Sequence, residues 1–159
     1  MHSIPSVIAV TACLFMLSAC ASHDSDLRET FETWKANEPD AYVVQTCTLG
    51  ISPPGCLRAA VEHGVVVLLE ERIFGESDFG WTDFTDEAEG AESPLDYMFA
   101  RVIAGSEKDC RVRDYAYDDA YDYIELYRTT CEGNAGGRQV TCFRTDTLDQ
   151  DSCDAEPPR

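Results

Sequence analysis

Cysteine has the most chemistry to offer in this 159-residue chain, which holds eight of them. Six lie in the body of the chain: Cys47, Cys56, Cys110, Cys131, Cys142 and Cys153. An even number in a short exported chain points to disulfides. Cys47 and Cys56 flank Pro53-Pro54-Gly55, which turns the chain back and favours their pairing. The set Cys47–Cys56, Cys110–Cys131 and Cys142–Cys153 is preferred. Its rival joins Cys131 to Cys142 across a hairpin centred on Gly136-Gly137 and leaves Cys110 to Cys153. A thiolate metal site is disfavoured, because there is no C-x-x-C pair and His63 has only His23 for company outside the leader.

Other residue types offer less. His63 is the acid/base candidate, yet it precedes Gly64 at a hairpin tip, where a solvated turn residue is the simpler reading. No nucleophile motif or oxyanion loop stands near it in sequence, so no catalytic residue and no cofactor are expected. Asp118, Asp119 and Asp122 lack the ligand spacing of a calcium loop and read as a polar turn. Tyr115, Tyr117, Tyr121, Tyr123 and Tyr127 alternate, which places them on one sheet face with Ile124 and Leu126 on the other. The best interaction candidate is the segment from Gly75 to Glu92, with seven acids, no bases, and Phe79, Trp81 and Phe84 between them. Acids steer a basic partner and aromatic rings anchor it. The plainer reading is a solvated loop.

The N-terminus has a different use for cysteine. Val7 to Leu17 is an almost wholly apolar run of eleven residues. As a helix it spans roughly 16 Å, against about 30 Å for a bilayer core. It therefore fits the core of a secretory signal rather than a membrane span. Leu17-Ser18-Ala19-Cys20 follows and resembles a bacterial lipobox, in which the cysteine thiol is alkylated by diacylglycerol before cleavage. No Lys or Arg precedes the apolar run, a departure from the usual signal. Lipidation at Cys20 would anchor the chain durably, since stable attachment needs at least two acyl chains and such a cysteine receives two or three. Ala21 and Ser22 follow, with no Asp, which favours the periplasmic face of the outer membrane in a two-membrane host.

Charge sets the outer bounds. Against 12 Lys and Arg stand 30 Asp and Glu, a net charge of −18, all of it after Ala19. A polyanion would repel this chain, so nucleic acid is excluded as an expected partner. The expected partners are the membrane, through the lipid, and a basic envelope or secreted protein.

The elements that position these residues follow from pattern. Residues 1–19 read as the signal, 20–25 as a tether, 26–153 as one domain and 154–159 as a disordered tail. Asp26 caps a helix carrying Leu27, Phe31 and Trp34 on one stripe. Tyr42 to Leu49 reads as a strand. The runs 57–63 and 65–74 form a hairpin through His63-Gly64. Ser93-Pro94-Leu95-Asp96 opens a second helix, with Leu95, Met98, Phe99, Val102 and Ile103 apolar and Gly105 ending it. Strands at 110–117, 121–131 and 139–144 complete an α+β fold: an antiparallel sheet of five to six strands with two helices on one face.

Four motifs in this order carry a resemblance. They are the helix with Trp34 followed by Tyr42-Val43-Val44 and Cys47; Val61-Glu62-His63-Gly64-Val65; Ser93-Pro94-Leu95-Asp96-Tyr97-Met98-Phe99; and Tyr117-Asp118 with Tyr121-Asp122-Tyr123-Ile124. Together, over about residues 27–130, the chain resembles the small bacterial lipoproteins grouped as the domain of unknown function 6174. The resemblance implies fold and location, and no chemistry. The extra cysteines and the acidic segment depart from the usual pattern. The expected function is a lipid-anchored envelope protein without catalytic activity, an accessory or interaction module. The alternatives are an inhibitor or binder of a basic exported enzyme such as a lysozyme and, last, a hydrolase using His63.

Overall fold

The computed structural model describes residues 26–50, 54–75, 80–87, 91–107, 110–131 and 134–153. The signal, Cys20, the tether, Phe79 and the 154–159 tail lie outside the described residues. Residues 26–37 form helix α1. Leu27 and Trp34 are buried on its inner stripe, and Phe31 packs against the same cluster. Pro39, which lacks an amide hydrogen, follows the last turn.

The strands are β1 (Ala41–Leu49), β2 (Gly55–Glu62), β3 (Val65–Ile73), β4 (Thr82–Asp83), β5 (Ser106–Glu107), β6 (Cys110–Tyr117), β7 (Ile124–Cys131) and β8 (Asn134–Arg144). They form one sheet in the order β4-β3-β2-β1-β8-β7-β6-β5. Every pairing is antiparallel. Two meanders thus meet at β1 and β8, and helix α2 (Pro94–Ala104) links their far edges. The α+β architecture agrees with the sequence pattern, but five to six strands is too few. The additional strands, β4 and β5, are two residues each, too short to leave an alternating pattern.

Helix α2 forms where its caps dictate. The Ser93 hydroxyl accepts the Asp96 amide hydrogen at 3.1 Å, Pro94 occupies the first turn, and Gly105 ends the helix at φ 65°. Leu95, Met98, Phe99 and Val102 are buried. They join Trp34, Tyr42, Val44, Ala59, Val61 and Ile124 in the main core, between the helices and one sheet face. Trp34 meets Tyr42, Tyr123 and Phe143 edge-on, with centroids 6.0, 5.8 and 6.3 Å away. Such contacts are worth about 0.5–1.5 kcal/mol each beyond burial.

The opposite face is also covered. A 3₁₀ turn over Gln150–Cys153 packs Cys153, with Leu148, on Val43, Ala60 and Leu68. Hence β1 is buried on both faces from Tyr42 to Cys47.

Four local expectations need correction. Gly136-Gly137 lies inside β8 rather than at a turn, and the reversal falls between Cys131 and Asn134. This register removes the Cys131–Cys142 alternative, because Cys142 sits opposite Gln45 and bonds to Cys153. Segment 75–92 is not wholly a loop: β4 pairs Asp83 and Thr82 with Glu70 and Glu71 of β3, and Thr85–Glu87 is a 3₁₀ turn. Strand β7 starts at Ile124 rather than Tyr121, after Asp122 takes φ 60°. A register shift between Ala116 and Tyr117 then puts Ile124 in the same core cluster as Tyr115, Tyr117 and Tyr127, not on the other face.

Candidate functional site

Two disulfides tie down the central strands. Cys47 and Cys56 sit directly opposite on β1 and β2 and are bonded. Cys142 of β8 is bonded to Cys153, which fixes the C-terminal segment to the sheet. Cys110 lies opposite Cys131 in the β6–β7 register. The side chains of Cys110 and Cys131 are outside the described part of the structure.

The pinned segment encloses a residue that sequence reasoning missed. Arg58 alternates with apolar neighbours in β2 and reads as solvent-facing, yet its side chain is 3% exposed. Its Nε donates to Glu70 Oε2 at 2.9 Å and its Nη2 lies 2.8 Å from the same oxygen. Nη1 donates to the Gln150 carbonyl at 3.0 Å, and Nη2 lies 3.3 Å from Asp151. The guanidinium lies 4.3 Å from the Trp81 ring centroid. Trp81, half-buried, thus makes a cation–π contact that holds its segment to the sheet. Phe84 is tied down too: its amide donates to the Leu69 carbonyl at 2.8 Å. The signal for Arg58 was present only in combination, since Cys153 must first bring acids over the strand.

The remaining candidates resolve as turns. His63 takes φ 52° and Gly64 φ 75°, so both residues of the hairpin tip are left-handed. The His63 amide donates to the Asp40 carbonyl. Its ring is 75% exposed and stands 4.0 Å from the Asp40 carboxylate, itself 96% exposed. Nothing in that arrangement orients a base. Asp118 Oδ1 accepts from the amides of Ala120 and Tyr121 at 2.9 Å each, as a turn-capping acid does. Among the described residues, no group of three or more His, Cys, Asp or Glu is placed to hold a metal ion.

A polar knot joins the helices to β1. Lys35 pairs with Glu38, and with Asp96 at 3.0 Å. Tyr42 donates to Glu38 Oε1 at 2.8 Å. Burial opposes the Lys35 charge, but its carboxylate partners outweigh that and raise its pKa. Burial drives the Tyr42 hydroxyl well above the ordinary tyrosine value. Burial also raises Tyr123 and Tyr127 and pushes Tyr117 up to about 12.

The fold leaves a cleft of about 280 Å³ beside the first turn of α2. Leu57, Leu69 and Pro94 form its apolar walls, and Glu92, Tyr97 and Arg138 its polar edge.

Among the described residues no helix is long and apolar enough to cross a membrane. The fold and its bridges define a disulfide-bonded antiparallel α+β domain. No protein-family model matches the chain, and no curated protein matches it.

Proposed function

We propose that the chain is a lipid-anchored protein of the bacterial cell envelope that acts as a non-catalytic interaction module. The observation that carries this reading is the pair of buried bridges, Cys47–Cys56 and Cys142–Cys153. Such bonds persist in exported proteins and not in a reducing cytosol. The lipobox-like Leu17-Ser18-Ala19-Cys20 supplies the route and the anchor. Lipid on Cys20 leaves the short segment 20–25 between the membrane and α1, so the domain sits close to the surface. The proposed third bridge joins Cys110 and Cys131, whose backbones are opposite in the β6–β7 register. In a two-membrane host the protein faces the periplasm from the outer membrane. Membership of the 6174 family rests on the order of the four motifs.

The second reading is a binder of a basic exported enzyme. It draws on the net charge of −18 and on β4, which carries part of the acidic segment on the β3 edge. Pull-down against basic secreted enzymes at low and high salt tests it, and absence of any salt-sensitive partner rejects it.

Replacement of Cys20 by Ala tests the anchor. Metabolic labelling with radioactive palmitate is expected to mark the native chain and to leave the variant unlabelled and uncleaved. Absence of label from the native chain, or equal label on both, would overturn the reading.

A further inference from the structure

The chain has 30 acids for 12 Lys and Arg, so most of its cations are expected to find a carboxylate. Lys35, Arg58, Arg128 and Arg144 do. Arg28, Arg111 and Arg113 are exposed and solvated. Arg72, over the Phe74 ring, and Arg101, hydrogen-bonded to Tyr127, are half-buried; Arg138 fits none of these cases. It is half-buried in the cleft wall, and among the described residues no carboxylate forms an ion pair with it. Its Nη1 donates to the neutral Thr46 hydroxyl at 2.9 Å, and its guanidinium lies 6.0 Å from the Tyr97 ring centroid.

A guanidinium has five donors, and the Thr46 bond uses one. The planar fork that remains matches a carboxylate in bidentate geometry. The rest of the cleft is apolar, with Leu57, Leu69 and Pro94 as walls. Tyr97, 43% exposed, offers a ring face at the mouth. Glu92 is exposed on the rim and repels a second negative charge. At about 280 Å³ the space is at the small end of ligand sites, which run from about 300 to 1,000 Å³. A single ring or a short acyl chain fills it.

We infer that this cleft binds a small monocarboxylate with a compact apolar body, its carboxylate on Arg138 and its body against Leu57, Leu69 and Tyr97. This goes beyond the envelope reading and does not depend on Cys20, so either can fail alone.

The test is titration of the full-length protein with phenylacetate, followed by amide chemical shifts. Phenylacetamide, the neutral isostere, is the control ligand. Saturable shifts at Leu57, Leu69 and Arg138 are expected at or below about 10 mM. The amide, and the Arg138→Gln variant with the acid, should bind about tenfold more weakly or worse, as loss of a charge-assisted bond requires. Tyr97→Ala, at an exposed position that leaves the fold intact, should weaken binding several-fold. Shifts that never saturate, or equal binding of acid and amide, would overturn the inference. So would unchanged affinity in a folded Arg138→Gln protein.

Discussion

Arg58 shows how a single residue holds three distant segments. Its partners come from β3 (Glu70), the C-terminal turn (Gln150, Asp151) and the acidic segment (Trp81). Desolvating a guanidinium to 3% exposure is costly, and the bonds to Glu70 and the Gln150 carbonyl offset that cost. Removing the cation leaves Glu70, 17% exposed, without its partner. Arg58→Ala is therefore expected to lose about 3 kcal/mol in urea unfolding. Arg58→Met with Glu70→Leu should recover most of that loss, because no buried charge remains. Trp81 reports the same event: Arg58→Ala should raise its fluorescence quenching by iodide, measured with Trp34→Phe in the background. Unchanged stability and quenching would place Arg58 in solvent. No local pattern could reveal this residue, since a strand with an Arg between Leu57 and Ala59 reads as one-sided until something covers its second face.

At the scale of elements, turn and cap chemistry made much of the fold legible. His63-Gly64, Ser93-Pro94 and Gly105 each mark a boundary that the backbone observes. The doubled glycine misled, because Gly136-Gly137 serves close strand approach rather than reversal. A Cβ at Gly137 would stand 2.2 Å from the Tyr127 carbonyl oxygen and 3.0 Å from the Arg128 Cα, both backbone atoms. Gly137→Ala must therefore push β7 from β8 and should cost about 2 kcal/mol or more. Gly80→Ala, with nothing within 4 Å, should be near neutral. Equal thermal midpoints for the two variants would contradict this register. The C-terminal segment is likewise an element only because it is tied. Cys142 and Cys153 are 11 residues apart, so Cys142→Ser with Cys153→Ser should cost about 2–3 kcal/mol. It should also deprotect the β1 and β2 amides under that turn in hydrogen exchange. The candidate site was less legible than the strands. Trp81 and Phe84 were visible as aromatics among acids, but the Trp81 contact to Arg58 and the Phe84 backbone bond to Leu69 depend on β4, whose two residues carry no periodicity.

For the whole molecule, tyrosine burial sets the response to alkali. Tyr42, Tyr117, Tyr123 and Tyr127 all ionise above the ordinary value of 10.0 when folded. Above that pH the unfolded chain releases these protons while the folded chain keeps them. Stability is whole below about pH 10 and falls as pH rises beyond it. Lys35 acts in the same direction, since its raised pKa favours the folded state until the unfolded ammonium deprotonates. The urea midpoint should drop between about pH 10 and pH 12, with a shallower drop in Tyr42→Phe; a flat profile would contradict the burial of these rings. The acidity is a property of exposed segments, whereas the interior relies on aromatic rings, two faces of β1 and bridged cysteines. That division fits a domain exported through an oxidising compartment and held at a membrane by its first residues. Mass spectrometry of the protein extracted from membranes tests this account most directly. It predicts an N-terminal peptide beginning at a diacylglycerol-modified Cys20, and Cys47, Cys56, Cys110, Cys131, Cys142 and Cys153 without a free thiol. An unmodified Cys20, or a reactive thiol among those six, would contradict it.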